Sequence, residues 1–169
     1  MKHLLIISFL FLRQPLYSQT TDSLVVSKSE LKVFLSESRL LLSQELIFRI
    51  SSTPTNYRLT KKFLEHIASM DSFISLTDVD FILTQIDQTK NFVWNSSFFD
   101  SAAILDSEKI SLTNDFHAIS VPYFSIDRQT CIMNVGYYCG KLCGHGRLMI
   151  LKKKNNSWTV YKVLGRWVS

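Results

Sequence analysis

The hydrophobic periodicity of the chain changes near residue 90, and this change limits the folds that the sequence can adopt. Before residue 90, apolar residues recur at the three- and four-residue intervals of amphipathic helices. After it, short runs rich in β-branched and aromatic residues are separated by turn residues. Helices followed by strands predict an α+β fold, in which N-terminal helices pack on a C-terminal antiparallel β-meander.

The composition is that of one packed domain. The chain has 169 residues, of which 46% are hydrophobic and 12% aromatic, and only five Gly and three Pro. These proportions suit a globular core and argue against a disordered, collagen-like or coiled-coil chain. We therefore predict a single α+β domain over residues 19–169, with a helical part at about 27–90 and a stranded part at about 100–169.

Residues 1–18 have the pattern of a secretory signal peptide. Lys2 precedes an apolar run, Leu4 to Leu12, which has about half of the ~20 residues needed to span a membrane. The small residue Ser18 then provides a cleavage position. We predict cleavage after Ser18 and export, with a periplasmic or secreted location and no transmembrane segment in the mature chain. A buried N-terminal strand is the alternative interpretation.

The net charge of the chain does not favour a nucleic-acid partner. It is +5, and removal of Lys2 and Arg13 with the signal peptide lowers it to +3. A charge of this size is ordinary for a soluble protein. The basic run Lys152–Lys154 contains no aromatic residue and precedes Asn155 and Asn156, as expected for the solvated end of a hairpin. We therefore predict no nucleic-acid partner.

Three helices are predicted before residue 90. A capping-box pair, Ser27 and Glu30, begins the first, which is expected to run from 28 to about 50, although residues 46–50 also suit a strand. The third helix is expected to begin with Thr77 as its N-cap and to end near residue 89. The second, over about 57–70, has an apolar face formed by Leu59, Phe63, Ile67 and Met70.

The strands of the predicted meander follow residue 100. The turn Asn155 to Ser157 is expected to join two of them as a compact hairpin. The β-rich runs lie at 101–105, 116–124, 130–138, 146–154, 158–163 and 166–168.

The segment Cys139 to Gly146, CGKLCGHG, is the densest group of residues suited to binding or chemistry. Its glycines permit positive φ angles and close backbone contacts. Cys139 and Cys143 are candidates for a disulfide, because oxidising compartments favour such bonds, and pairing of either with Cys131 stays open. The remaining residues form a candidate binding turn: Gly140, Lys141, Leu142, Gly144, His145 and Gly146.

Three alternatives apply to the same segment. Cys139, Cys143 and His145, with His117, supply a set of zinc ligands, but no later His completes the usual structural-zinc pattern. A thiol oxidoreductase favours C-x-x-C at a helix N-terminus, whereas this segment is C-x-x-x-C between two strands. A purely structural turn would use the cysteines as small apolar side chains. We predict no catalytic residues, no metal and no cofactor.

Two motifs and the last residue of the C-terminal half occur together. They are the CG-x-LCG-x-G turn at Cys139–Gly146, a K-x-(N/G)-x-W hairpin at Lys154–Trp158, and Ser169. This combination resembles small exported proteins of Gram-negative bacteria that have no assigned activity, and the resemblance covers about residues 75–169. It implies export and an α+β fold, and it brings no catalytic residues.

These features predict an exported, non-enzymatic domain that binds another protein or a surface glycan. The stranded half would be the scaffold, and the turn would be structural or the point of recognition, since loops held by rigid sheets often carry binding. The alternative function is an enzyme with a thiol or metal site at Cys139, Cys143 and His145.

Overall fold

The computed structural model describes residues 26–38, 49–55, 58–70, 72–99, 102–111, 115–140 and 142–169. Its helices are α1 (Lys28–Glu37), α2 (Lys61–Met70), α3 (Leu76–Gln88) and α4 (Ser107–Ser111), with a 3₁₀ turn at Ser96–Phe98. Its strands are β1 (Arg49–Ser51), β2 (Ala103–Leu105), β3 (Phe116–Ile119), β4 (Tyr123–Phe124), β5 (Thr130–Tyr138), β6 (Gly144–Lys154) and β7 (Ser157–Val168).

The strands form one mixed sheet in the order β2–β1–β3–β5–β6–β7, with β4 paired to β5. The pairs β3–β5, β5–β6 and β6–β7 are antiparallel, and the predicted α+β class is confirmed. The sheet is not a pure antiparallel meander, because β1 pairs in parallel with both β2 and β3. Between β1 and β2 the chain passes through α2 and α3, which supply the long crossover that a parallel pair needs.

The sheet lies between two helical layers. β5 occupies its middle and is buried on both faces for most of its length. Cys131, Met133 and Val135 belong to a core shared with α1, whereas Ile132 belongs to a second core shared with α2 and α3. A strand that is buried on both sides reads as a nearly continuous apolar run, which is why β5 is recognisable in the sequence.

The first predicted helix begins as expected but is shorter. The Ser27 Oγ atom accepts the Glu30 N–H at 3.1 Å, and the Glu30 carboxylate accepts the Ser27 N–H at 2.8 Å, so the capping box is confirmed. The helix ends at Glu37. Of the two interpretations given for residues 46–50, the strand is correct at Arg49–Ser51, where Ile50 is fully buried between neighbouring strands. Residues 39–48 lie outside the described part of the chain.

The predicted N-cap at Thr77 is wrong, because Ser75 caps α3. The Ser75 Oγ atom accepts the Asp78 N–H at 3.1 Å, and the Asp78 carboxylate accepts the Ser75 N–H at 2.7 Å. This starting point also lets Asp78 accept the Ile126 N–H at 2.8 Å, a tertiary contact that no local pattern reveals.

The second predicted helix begins later than expected, and its buried face differs at one position. The Thr60 Oγ1 atom accepts the Phe63 N–H at 3.2 Å, and α2 begins at Lys61 instead of 57. Leu64 and Ile67 are its buried residues, whereas Met70 is 53% exposed. The predicted face is confirmed at Leu59, Phe63 and Ile67, which lie in or against this core, whereas Leu64 takes the place expected for Met70.

The β6–β7 hairpin is longer than its predicted segments. Asn155 and Asn156 form its two-residue turn with φ angles of 50° and 56°, a geometry that matches the right-handed twist of the flanking strands. Residues 158–163 and 166–168, predicted as separate strands, belong to the single strand β7. Two register shifts opposite Leu148–Met149 and Ile150–Leu151 let β7 follow β6 without a break.

The N-terminal prediction falls outside the structure. The predicted signal peptide, residues 1–18, is not among the described residues and stays a prediction. Description begins at Val26, which is buried against the core that contains α1. Within the described ranges, no helix is long and apolar enough to cross a membrane.

Candidate functional site at the Cys139–Gly146 turn

The Cys139–Gly146 turn lies at one end of the sheet, where it joins β5 to β6. The last register pair before the turn is Tyr138 opposite Gly144. The Cys139 N–H donates to the Cys143 carbonyl at 2.8 Å, and Gly140 has a φ of 129°. Any residue with a Cβ atom would be strained at this angle, so the reversal of the chain depends on Gly140.

A disulfide closes the turn between Cys139 and Cys143, whose Cα atoms are 5.0 Å apart. Cys131 is too distant to pair with either, because eight residues of extended strand carry Cys139 about 26 Å away from it. The Cys131 side chain is fully buried, and burial raises the pKa of its thiol well above the ordinary value. The free thiol therefore lies in the core, away from the turn.

The predicted binding residues divide into an exposed apex and a buried base. Leu142, at the apex, has 90% of its surface exposed, the highest value among the large apolar side chains of the described residues. Cys143 and His145 are also exposed, whereas Gly144 and Gly146 are buried in β6. Lys141 lies outside the described residues.

The base of the turn is covered by the indole of Trp167 on the edge strand β7. A Cβ atom at Gly146 would overlap the Trp167 Nε1 atom, and Cβ atoms at Gly136 or Gly144 would lie 3.2 Å from the six-membered ring. Glycine at these positions therefore lets the indole lie against the backbone of β5 and β6. Ser169 adds two backbone hydrogen bonds with Gly144, of 2.9 and 3.3 Å.

An aromatic row extends from Trp167 across the same face of the sheet. The ring centroids of Tyr138 and Trp167 are 5.3 Å apart, and those of Phe116 and Tyr138 are 4.9 Å apart with nearly parallel planes. Cross-strand aromatic pairs stabilise a sheet by about 0.2–1 kcal/mol each. The turn thus joins the sheet beside a row of packed aromatic rings.

The candidate metal ligands are not assembled into one site. His117 is buried on β3 and lies 4.9 Å from Tyr137, and the exposed His145 lies 5.6 Å from the same ring, measured between centroids. Tyr137 thus stands between the two imidazoles, and Cys139 is bonded to Cys143. Among the described residues, no group of three or more His, Cys, Asp or Glu is placed to hold a metal ion.

An open pocket of about 230 Å³, which the sequence does not indicate, lies between α1 and the far end of the β6–β7 hairpin. Its floor is aromatic, since the Phe34 ring lies 5.4 Å from Phe124 and 5.2 Å from Trp158. On one side Glu37 accepts hydrogen bonds from Lys153 Nζ and Trp158 Nε1, each at about 3 Å. These residues are far apart in the sequence, so no local motif marks the pocket.

An ion pair forms the other side of this pocket. Arg128 Nε donates to the Glu30 carboxylate at 3.0 Å. Burial raises the pKa of Glu30, but hydrogen bonds from Ser27 and Arg128 outweigh it, and the pKa is lower than its ordinary value. The charges of the pocket therefore already neutralise each other, and the pocket leaves no unpaired charge that would select a ligand.

Comparisons with known proteins do not assign the turn to a family. No protein-family model, no curated protein and no solved structure matches the chain. The resemblance to small exported bacterial proteins therefore stays a prediction based on Cys139–Gly146 and Lys154–Trp158. A function must be inferred from the residues of the site.

Proposed function

We propose that the mature chain is an exported, non-enzymatic binding domain whose turn apex recognises another protein or a surface glycan. The observation that carries the proposal is an apolar side chain, Leu142, presented on a turn that a disulfide closes. Binding by a flexible loop loses conformational entropy, whereas a covalently closed turn has less entropy to lose. An exposed Leu in this setting is suited to enter a partner's pocket.

The base of the turn supports the same role. Trp167 lies against the backbone of β5 and β6, and Ser169 is hydrogen-bonded to Gly144. These contacts fix the position of the apex relative to the sheet. Binding residues are commonly carried by loops that a rigid scaffold positions.

Export is supported by two independent features. Residues 1–18 have the composition of a signal peptide. The Cys139–Cys143 disulfide suits an oxidising compartment, because cytosolic thiol systems keep exposed cysteines reduced. Intact-mass measurement tests both, since the mature protein should lack residues 1–18 and should gain two hydrogens when the disulfide is reduced.

The binding role is tested by Leu142→Ser in the full mature protein. Partners would be captured from an envelope fraction and from purified surface glycans, and the bound amount compared with that of the wild type. Burial of a Leu side chain contributes about 1.5–3 kcal/mol, so capture should weaken at least tenfold. Leu76→Ser is the matched control, because Leu76 is also exposed but lies at the start of α3.

The outcome that contradicts the turn as recognition site is capture unchanged by Leu142→Ser while the variant stays folded. Bound zinc or a reactive, low-pKa thiol in the purified protein would instead favour the enzyme alternative at Cys139, Cys143 and His145. A free-thiol count separates the two, because the binding domain should have one slowly reacting thiol, Cys131.

A further inference from the structure

Charge is divided unequally along the chain. Residues 1–127 contain eleven Lys and Arg and all fourteen Asp and Glu, whereas residues 128–169 contain eight Lys and Arg and no acid. The net charge of +5 is therefore the sum of −3 on residues 1–127 and +8 on residues 128–169. The last part forms β5, β6 and β7, so the basic residues share one region of the sheet.

Some of these cations form ion pairs with α1. Lys153 pairs with Glu37 and Arg128 with Glu30, and both pairs hold α1 to the sheet. Within the described ranges, no ion pair involves Lys152, Lys154 or Arg166. Positively charged side chains without a paired carboxylate create an electrostatic field that attracts an anionic partner.

Four residues of the hairpin form what we call the basic aromatic cluster: Lys152, Lys154, Tyr161 and Lys162. Lys152 and Lys154 share the face of Ile150, and Lys162 lies opposite Ile150, on the side of the sheet that carries α2 and α3. Lys152 Nζ lies 4.3 Å from the centre of the Tyr161 ring, a favourable cation–π distance.

The Tyr161 ring is contacted by Lys152 and Phe73 and stays half exposed. Phe73 contacts it edge to face at 5.9 Å, and Phe73 is in turn approached by Lys162 Nζ at 5.8 Å. Tyr161 is 52% exposed, whereas Phe73 is buried. The cluster thus combines a half-exposed aromatic ring with the ammonium group of Lys152, which lies over that ring.

We propose that the basic aromatic cluster binds a linear acidic polysaccharide, with its carboxylate or sulfate groups on Lys152 and Lys154 and a sugar ring against the exposed part of Tyr161. Charge complementarity is direct, because residues 128–169 contain no acidic side chain. Lys152 and Lys154 lie on β6, whereas Tyr161 and Lys162 lie on the neighbouring edge strand β7, whose 12 residues extend over about 40 Å. An edge of this length is suited to an extended polymer.

A single-stranded nucleic acid is the competing polyanion. Proteins that bind it use successive exposed aromatic side chains for successive bases, whereas Tyr161 is the one exposed aromatic residue of this cluster. The choice of a polysaccharide also rests on the proposed export, since an exported protein meets glycans. The basic aromatic cluster does not include the Cys139–Gly146 turn, and it would give the domain a second binding surface.

The test measures binding of the full mature protein to polygalacturonate, with uncharged dextran and oligothymidine as comparison ligands. Lys152→Gln with Lys154→Gln should weaken polygalacturonate binding at least about tenfold, because each lysine near an anionic surface contributes about 1 kcal/mol. Tyr161→Ala should weaken it by about fivefold through loss of stacking, of about 1 kcal/mol. Tyr161→Phe, which keeps the ring, should bind as the wild type does.

The matched control is Lys28→Gln with Lys32→Gln, which removes the same charge from exposed positions on α1. Its binding should change less than about twofold. Thermal unfolding of each variant checks that the fold is retained. Tyr161→Ala tests the aromatic ring separately, because it leaves both lysines in place.

Three outcomes overturn the proposal: no binding of polygalacturonate, an equal loss in the α1 control, or tighter binding of oligothymidine at equal ionic strength. Each is distinguishable from failure of the proposed function. Capture that depends on Leu142 would still stand if polygalacturonate failed to bind, and cluster-dependent binding would stand if Leu142 proved irrelevant.

Discussion

Asp78 shows how a single carboxylate can link two layers of this protein. It caps α3 through Ser75 and also accepts the Ile126 N–H in the turn between β4 and β5. Burial raises the pKa of Asp78, but the hydrogen bonds from Ile126 and Ser75 outweigh it and leave the pKa below its ordinary value. The ionised form is therefore favoured in the folded protein.

This lowered pKa predicts a pH-dependent contribution to stability. The contribution is complete above the pKa of an unfolded Asp, about 4, and is lost as the pH falls through the lower folded value. Asp78→Asn should lower the free energy of unfolding at pH 7 by about 1–2 kcal/mol and flatten its decline below about pH 4. Urea unfolding across this pH range measures both effects.

The control for Asp78 is Asp80→Asn, two residues along α3. Asp80 is exposed and pairs with Lys61 on the surface, so its loss should cost less than about 1 kcal/mol. Stability curves of Asp78→Asn and the wild type that stay parallel below pH 4 would show that the carboxylate does not make this contribution.

The N-terminus of α3, where Ser75 and Asp78 form the cap, shows where the prediction from sequence was wrong. Ser27 and Glu30 were predictable as a capping box because the signal spans four residues and needs no tertiary information. Ser75 and Thr77 are both acceptable caps by local rules. The reciprocal pair of Ser75 and Asp78 favours Ser75, and the prediction of Thr77 overlooked it, whereas the bond from Ile126 depends on the fold.

At the scale of elements, the Cys139–Cys143 disulfide is expected to stabilise the β5–β6 hairpin modestly. For a loop this short, chain entropy assigns about 2 kcal/mol to the bond. Cys139→Ser with Cys143→Ser should lower the free energy of unfolding by about that amount and leave the protein folded. Denaturant unfolding with and without reductant measures the effect.

Wild-type protein under reductant is the internal control for this pair of substitutions. Reductant should lower its stability to that of the double variant and should leave the variant unchanged. Hydrogen exchange should accelerate near Gly144 and Ser169, whose backbone bonds join the turn to β7. Global unfolding of the double variant would contradict the modest role and would make the disulfide essential to the sheet.

Strands and turns were predictable where the residues that define them are neighbours in the sequence. β5, β6 and the Asn155–Asn156 turn carry long apolar runs and turn residues, and the structure has them close to where the sequence places them. β1 has three residues and is defined by its parallel partners β2 and β3, so the sequence offered a strand at 46–50 only as one of two interpretations. The pocket between α1 and the β6–β7 hairpin could not be predicted either, because the residues that line it come together only in the folded protein.

For the whole molecule, net charge was an incomplete guide to partners. The prediction of no nucleic-acid partner used a total of +3 for the mature chain and the absence of aromatic residues within Lys152–Lys154. That prediction has not been tested. Its first premise is a charge summed over the whole chain, and its second considers only residues that are neighbours in the sequence. The hairpin brings Tyr161 to Lys152 across two strands, and all acidic residues precede residue 128.

Segregated charge predicts that adsorption to a charged surface depends on where a lysine lies more than on net charge. Export would sharpen the contrast, because loss of Lys2 and Arg13 changes residues before 128 from −3 to −5 and leaves +8 after them. Lys152→Gln with Lys154→Gln should therefore elute from a cation exchanger at a clearly lower salt concentration than Lys28→Gln with Lys32→Gln, although both variants lose two charges. Fields of this kind are screened within about 10 Å at 0.1 M salt, so the difference should shrink in size as the loading salt rises. Elution of the two variants at the same salt concentration would contradict this prediction. The β6–β7 hairpin would then not be the preferred contact with an anionic surface, and net charge alone would govern adsorption.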